Sequence, residues 1–268
     1  MRNLNKHKSL LEKIFGYPLK QGPTFHLLRI DKLVDEQLII AEEERRLKKR
    51  YHKVLDICEK YIGYDNINSI IDVGCGHGEM LRMIMEKSRK KMDFYGVDIC
   101  DTLLDKARQL GIKVSNIDIN KDNLPYPDGK FDFALAHEII EHLYNPDFFL
   151  MEIYRVLHSR GILALSTPNL ACWRNRILLM LGYTPTTLDI SLTQPMDIFP
   201  ISHKFPIGHI RNYTLEGICK FLYLYNFNIV GIYGLYISTG IKIVELLDKF
   251  FSKIPSLSTY ILILAKKR

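Results

Sequence analysis

Short apolar runs alternate with amphipathic stretches along residues 69–167. The runs are rich in β-branched or aromatic residues, whereas apolar residues between them recur at helical spacing. The runs begin at Ser69 and then cover residues 92–97, 114–119, 131–136 and 162–166. Strands that alternate with helices form parallel βαβ units with right-handed crossovers. The pattern therefore predicts an α/β fold around a mostly parallel sheet.

The pattern is less regular on either side of this core. Residues 34–62 repeat apolar positions at helical spacing, which predicts a helix beside the first strand. Further helices are predicted at 170–181, 214–224 and 241–251, and strands at 227–236 and 257–265. We expect an N-terminal helical extension over 1–65 and one domain over 66–268.

A stretch rich in Pro and Thr interrupts that domain at about 170–207 and is expected to form a lid or substrate insertion. The helix at its start has two possible functions. It could cap the core as an amphipathic helix, or Trp173 and its apolar face could line an acyl or aromatic pocket.

Three glycines follow the first strand in the sequence Asp72-Val-Gly-Cys-Gly-His-Gly78. Glycine allows positive φ, so the backbone N–H groups of such a loop can approach a bound molecule. A dinucleotide site would place its third glycine at position 79, which is Glu79. The alternating glycines instead indicate a different nucleotide-like cofactor.

A second acid, Asp98, ends the second predicted strand. One carboxylate can accept hydrogen bonds from both hydroxyls of a ribose, which suits a nucleoside ligand. Asp98 could instead be the N-cap of a helix over residues 102–110, or serve both purposes.

Glu138, Glu141 and His142 follow the fourth strand at positions i, i+3 and i+4. If this segment is helical, the three side chains lie on one face. Carboxylates together with an imidazole can bind a divalent cation, which would lower the pKa of a bound hydroxyl.

Several ordered motifs resemble one enzyme family. Beyond the glycine loop, they are Leu124-Pro-Tyr-Pro-Asp-Gly129, His137-Glu-Ile-Ile-Glu-His-Leu143 and Thr167-Pro-Asn169. Together they resemble the class I S-adenosylmethionine (SAM)-dependent methyltransferases, in particular the small-molecule types 11 and 23 and the ubiquinone-pathway O-methyltransferases. The resemblance is close over 66–169 and looser over 208–230.

This resemblance implies a Rossmann-like fold whose seven-stranded, mostly parallel sheet has an antiparallel last strand and helices on both faces. It implies that Asp72 faces the methionine amino group, that Asp98 binds the ribose, and that Asp118 accepts from the adenine amino group. The implied SAM-binding residues are Asp72, Gly74, Gly76, Gly78, Asp98, Ile99, Asp118, Ile119 and His137.

The acid and histidine cluster is similar to that of metal-dependent ubiquinone-pathway and small-RNA 2′-O-methyltransferases. In the RNA enzymes a distant histidine completes the metal site, and His209 is the matching position. The resemblance thus implies Mg²⁺ or Mn²⁺ held by Glu138, Glu141, His142 and His209, which are also the candidate catalytic residues. Two alternatives stay open: His142 or His209 acts as a metal-free base, or the cluster is structural.

Composition limits the compartment and the partners. The 268 residues, 47% hydrophobic and 25% charged, are typical of a globular protein, and five scattered cysteines with no apparent secretory signal favour a cytoplasmic location. No apolar run is long enough to span a bilayer. The net charge of +7 is compatible with a nucleic acid, a phosphorylated metabolite or a membrane surface. The basic run at 45–50 follows three glutamates, and i,i+4 pairing along a solvated helix is expected to account for much of it.

The sequence therefore predicts a SAM-dependent methyltransferase that modifies a hydroxyl of a small molecule, a sugar or a lipid precursor. The alternatives are a metal-dependent RNA 2′-O-methyltransferase, which lacks support from an added RNA-binding module, and a non-catalytic relative that binds a partner protein. The acceptor and the oligomeric state are not encoded in any of these motifs.

Overall fold

The computed structural model describes residues 51–63, 67–88, 90–188, 190, 208–236 and 241–268. The predictions for 1–50, including the basic run, lie outside the described residues, as does most of the second half of the 170–207 insertion.

Seven strands form a single sheet in the order β3-β2-β1-β4-β5-β7-β6. The strands are β1 (Ser69–Val73), β2 (Asp93–Asp98), β3 (Lys113–Asn116), β4 (Phe131–His137), β5 (Leu157–Pro168), β6 (Phe227–Leu235) and β7 (Tyr260–Lys267). The first five pair in parallel, and β7 pairs antiparallel with both β5 and β6. The predicted mostly parallel sheet with an antiparallel last strand is confirmed.

Helices cover both faces of the sheet, as predicted. They are α1 (51–62), α2 (Glu79–Lys87), α3 (Asp101–Gln109), α4 (Pro146–Val156), α5 (Trp173–Met180), α6 (Leu215–Leu224) and α7 (Lys242–Phe251). None of the helices in the described part of the chain has the length and apolar character that a bilayer crossing demands.

Alternation along each strand builds two apolar layers, because successive side chains point to opposite faces. In β1, Ile70 packs with α1 and α2, while Ile71 packs with α4 and α6. The α1 residues that enter the first layer are Val54, Leu55, Ile57 and Cys58. The predicted helix before β1 is therefore confirmed over 51–62 and belongs to the domain core.

Two strand boundaries differ from the predictions. β3 ends at Asn116, so Asp118 and Ile119 lie in a turn in which the Asp118 carbonyl accepts from the N–H groups of Lys121 and Asp122. The last strand starts at Tyr260 because the residues before it form turns. Apolar composition alone could not separate the turn residues from the strands.

Parallel pairing brings the carboxyl ends of β1, β2 and β4 to one edge of the sheet. Open α/β sheets bind ligands at that edge. The glycine loop, Asp98 and the segment after His137 all start there.

We predict that α6 depends on its N-cap. The Thr214 hydroxyl accepts a hydrogen bond from the Gly217 N–H at 3.1 Å. Thr214→Ala should therefore lower the free energy of unfolding by about 1 kcal/mol. Chemical denaturation measures the loss, and Thr214→Ser, which keeps the hydroxyl, is the matched control. Equal stability of the alanine variant and wild type would contradict the prediction.

Candidate functional site

The glycine loop turns sharply at the end of β1. Gly74, Gly76 and Gly78 have φ values of +79°, +52° and +80°. A Cβ on Gly78 would lie 2.6 Å from the Ile112 side chain, and a Cβ on Gly74 would lie 2.9 Å from Ile139. Both glycines are thus needed for close packing as well as for the positive φ.

Gly76 differs from its two neighbours in the loop. A Cβ there would meet nothing closer than 4.0 Å, so this position borders open space. The N–H groups of all three glycines already donate within the protein, to Val97 O, Asp98 Oδ2 and Cys75 O. The loop N–H groups are thus held within the protein, and the open side of the loop at Gly76 is its bare Cα.

Asp98 fastens this loop to the end of β2. Its Oδ2 accepts from Gly76 N and its Oδ1 from Cys100 N, both at 2.9 Å. The residue preceding α3 is Cys100, so the interpretation of Asp98 as the N-cap is wrong. Each carboxylate oxygen can accept a further hydrogen bond, which leaves capacity for hydroxyl donors.

Asp72 is a buried acid that has no charge partner among the described residues. It is 4% exposed, and no side chain of the described residues donates a hydrogen bond to its carboxylate. Burial, followed by the negative charge of Asp98, raises its pKa to about 7. A bound cation would favour its ionised form, which makes the position suitable for a ligand ammonium group.

Asp118 and Ile119 lie in the turn after β3, and Ile99 follows β2. Asp118 Oδ1 accepts from both the backbone and the side-chain nitrogen of Asn120 at 3.1 Å. These bonds, the backbone one foremost, hold the pKa of Asp118 below its usual value. Ile99 is 67% exposed, whereas Ile119 packs partly against the core. An ionised acceptor and an uncovered apolar side chain thus flank the same strand ends.

The segment after β4 is not the predicted helix. Glu138 has a positive φ of +53°, and only a single 3₁₀ turn, Ile140–His142, follows it. A residue in the left-handed region cannot continue a right-handed helix, so Glu138 does not share a face with Glu141 and His142. The expectation of one helical face carrying all three side chains is wrong.

Glu138 instead joins His137 through Ser166, the β5 residue paired with His137. Ser166 Oγ lies 2.5 Å from His137 Nδ1 and donates to Glu138 Oε1 at 2.9 Å. Because a hydroxyl has one proton, Ser166 must accept from a protonated Nδ1 of His137. Ser166 was absent from the predicted site, and only the register between β4 and β5 could have indicated it.

Glu141, His142 and His209 come together in space. One candidate ligand atom from each lies within 4.8 Å of the others. The Glu141 side chain is buried and accepts from the Thr167 hydroxyl at 3.2 Å. Its backbone carbonyl accepts from Ile210 N at 2.9 Å, which places the segment carrying His209 beside it. Three of the four predicted metal or catalytic residues are therefore adjacent, and Glu138 lies outside the group.

Backbone carbonyls orient both imidazoles. His142 Nδ1 lies 3.0 Å from Gly208 O, and His209 Nδ1 lies 3.1 Å from Thr187 O. A carbonyl oxygen only accepts, so each Nδ1 carries a proton and each neutral ring keeps its lone pair on Nε2. Such a pair of rings beside a carboxylate can take up a proton or bind a cation.

Trp173 lies away from this group. Its indole Nε1 donates to Asp248 of α7 at 2.7 Å, and its ring stacks on Phe251 with centroids 5.3 Å apart. Of the two functions considered for the helix at 170–181, capping the core is the one that the position of Trp173 supports.

Comparison with known proteins shows which families this chain is similar to. Residues 71–165 match the family described as a methyltransferase domain. A probable SAM-dependent methyltransferase of Mycobacterium tuberculosis is 32% identical over 100 residues, which are 37% of this chain and 35% of that protein. Ajmaline N-methyltransferase of Rauvolfia serpentina is 26% identical over 195 residues, 65% of this chain and 61% of that protein.

The match to the first curated relatives spans only 35% to 51% of their length. At the level of the fold the agreement is wider. The crystal structure of a SAM-dependent methyltransferase from Thermotoga maritima, a possible histamine N-methyltransferase, has a TM-score of 0.55 at 16% identity. The superposition covers 85% of this chain and 96% of that one.

The family match, the related sequences and the seven-stranded sheet lead to one conclusion: the chain contains a methyltransferase domain, matched over residues 71–165, and has the fold of the class I SAM-dependent methyltransferases.

Proposed function

We propose that this protein transfers a methyl group from SAM to a hydroxyl of a small molecule, a sugar or a lipid precursor. The observation that carries the proposal is the Glu141, His142 and His209 group, which follows β4 at the edge where the candidate cofactor residues lie. A hydroxyl must lose its proton to become a good nucleophile, and imidazoles provide a proton acceptor.

The residues at the strand ends fit the cofactor. Asp72 is a buried carboxylate with no cationic side chain beside it in the described part of the chain, and an ammonium group such as that of the methionine moiety would supply a cation. Asp98 has acceptor capacity left for two ribose hydroxyls, and Asp118 can accept from an amino group on the base. The exposed Ile99 offers apolar contact to a ring.

When bound, SAM supplies a methyl group on a sulfonium, which is transferred by in-line displacement. The protein then has to orient the acceptor, exclude water and remove a proton. His142 or His209 takes the proton on Nε2, and the Glu141 carboxylate stabilises the imidazolium that forms. His137, held by Ser166 and Glu138, helps to shape the methionine end of the site.

A cation is an alternative use of the same group. Two imidazoles and one carboxylate suit Mn²⁺ better than Mg²⁺, which prefers oxygen ligands. Glu138 is already engaged by Ser166 in this structure, so the donor set has three protein ligands. A bound cation would lower the pKa of an acceptor hydroxyl.

The same group also favours a second candidate, an RNA 2′-O-methyltransferase, since the net charge of +7 suits a polyanion. The experiment that tests both offers SAM with a labelled methyl group to phenols, sugars, lipid precursors and RNA oligonucleotides. Labelling of a hydroxyl in the first three classes supports our proposal. Labelling of RNA alone, with a steep salt dependence, would establish the second candidate in its place.

We predict that cofactor binding depends on Asp98. Asp98→Ala removes the acceptor that fastens Gly76 as well as the proposed ribose contact. The affinity for S-adenosylhomocysteine, measured by isothermal calorimetry, should fall at least about tenfold. Asp105→Ala, an exposed acid on α3, is the control and should bind like wild type. Unchanged binding by the Asp98 variant would refute this cofactor site.

We predict that the ionised Asp72 carboxylate lowers the stability of the fold but strengthens cofactor binding. The pKa of Asp72 in the folded protein, about 7, lies above its value near 4 in the unfolded chain. Ionisation of the buried carboxylate therefore lowers the free energy of unfolding progressively from about pH 4 to about pH 7, and the loss is complete above about pH 7. Asp72→Asn should raise the free energy of unfolding at pH 8 by up to about 4 kcal/mol and leave it nearly unchanged at pH 4.

The ionised carboxylate is the form that binds an ammonium, so wild-type affinity for S-adenosylhomocysteine should be about tenfold lower at pH 6 than at pH 8. Asp72→Asn should bind weakly at both values. Denaturation and calorimetry across this range measure both effects, with the exposed Asp93→Asn as control. An Asp72 variant that binds normally would disprove the ammonium contact.

We predict that His209 acts in the chemical step. With an acceptor from the labelling screen, His209→Ala should lower kcat by about 10²- to 10⁴-fold, while the affinity for S-adenosylhomocysteine stays within about twofold. The exposed His158→Ala is the control. Treatment with EDTA and calorimetric titration with Mn²⁺ distinguish a metal site from a metal-free base. Activity that is lost in EDTA and restored by bound Mn²⁺ shows that the group holds a metal. Activity that EDTA does not change shows that a histidine acts as the base. An unchanged kcat in the variant would contradict both.

A further inference from the structure

The outer face of α7 carries large apolar side chains that face solvent. Ile243, Leu246 and Phe250 are exposed, the latter two to 64% and 58%. Their spacing of three and four residues puts them on one side of the helix. The opposite side, with Val244 and the buried Asp248, packs against α5. α7 therefore presents apolar side chains both to the core and to solvent.

Exposed apolar side chains also lie at the end of α5, the helix that packs against α7. Trp173 at the start of α5 contacts Asp248 and Phe251 near the end of α7, whereas Leu178 clusters with Val244 near its start. The two helices therefore pack against each other. The last residues of α5, Leu179 and Met180, are exposed, Met180 to 86%. We call the exposed side chains of Leu179, Met180, Ile243, Leu246 and Phe250 the α5–α7 surface.

Lysines lie on the same side of α7. Lys242 and Lys249 are four and three residues from Leu246, and Lys253 is three residues from Phe250 in the turn that follows the helix. All three are exposed, and their ammonium groups form no ion pair or hydrogen bond within the part of the chain that the structure describes. A helix with a bulky apolar face flanked by free lysines is the pattern of interfacial helices.

We propose that the α5–α7 surface binds an anionic lipid bilayer. The apolar side chains would enter the boundary between headgroups and acyl chains, while the lysine stems reach back to lipid phosphates. Each lysine near an anionic surface adds to the attraction, and the net charge of +7 acts in the same direction. A second copy of the chain fits less well, because two-fold pairing of this face would oppose lysines to lysines.

The proposal stands apart from the methyl transfer, since it concerns a surface and not the site. Co-sedimentation tests it with phosphatidylcholine vesicles that contain or lack phosphatidylglycerol. We expect the full-length protein to pellet with the anionic vesicles, to bind the neutral ones weakly, and to be released by salt. Leu246→Glu with Phe250→Glu, and separately Lys249→Glu with Lys253→Glu, should each lower the partition coefficient at least about tenfold.

The matched control combines Met151→Glu with Leu224→Glu, which replace exposed apolar residues on α4 and α6. It should bind like wild type apart from a small loss due to its charge. Circular dichroism and S-adenosylhomocysteine binding verify that every variant is folded. The proposal is overturned if the wild-type protein does not bind anionic vesicles, or if the control loses as much binding as the α7 variants. It is also overturned if Leu246→Glu with Phe250→Glu dissociates a dimer without changing vesicle binding.

Discussion

The electrostatics of this site depend on two carboxylates at the ends of neighbouring parallel strands. Asp72 lies on β1, one residue before its end, and Asp98 ends β2, which pairs with β1. The burial of Asp72, followed by the like charge of Asp98, raises the free energy of the site when Asp72 is ionised. Two backbone N–H groups stabilise Asp98, whereas no N–H group of the described residues donates to the Asp72 carboxylate. The apolar layers on both faces of the sheet have to compensate for this cost, and a cationic ligand removes it.

The second half of the site depends on backbone geometry more than on charge. The positive φ of Glu138 turns the backbone away from the direction of β4. The Glu138 carboxylate then contacts Ser166 and not Glu141. Glu141 then serves two purposes, since its side chain joins the two histidines while its backbone carbonyl accepts from Ile210 and Arg211. A residue in the left-handed region costs of order 1 kcal/mol, and such strain is concentrated at functional sites.

The sequence was sufficient for the sheet, because the order of apolar runs and glycine turns reflects interactions between near neighbours in the chain. It was also sufficient to bring Asp72, Asp98 and the glycine loop to one edge, since parallel strands end together. It failed at Glu138, because the three residues at helical spacing lie in the bend after β4 and in one turn of 3₁₀ helix. It also missed Ser166, whose importance comes from its register opposite His137 and not from any local pattern.

The contacts around His209 have a consequence for how this chain can change during evolution. Thr187 and Gly208 stand on either side of the 191–207 segment, and both are joined to the histidine pair, the one through His209 and the other through His142. The described residues on the two sides of positions 191–207 therefore lie close together. Because closing a loop costs free energy that grows only with the logarithm of its length, insertions there are tolerated. The length of chain between Thr187 and Gly208 can therefore change during evolution while both imidazoles keep their backbone partners.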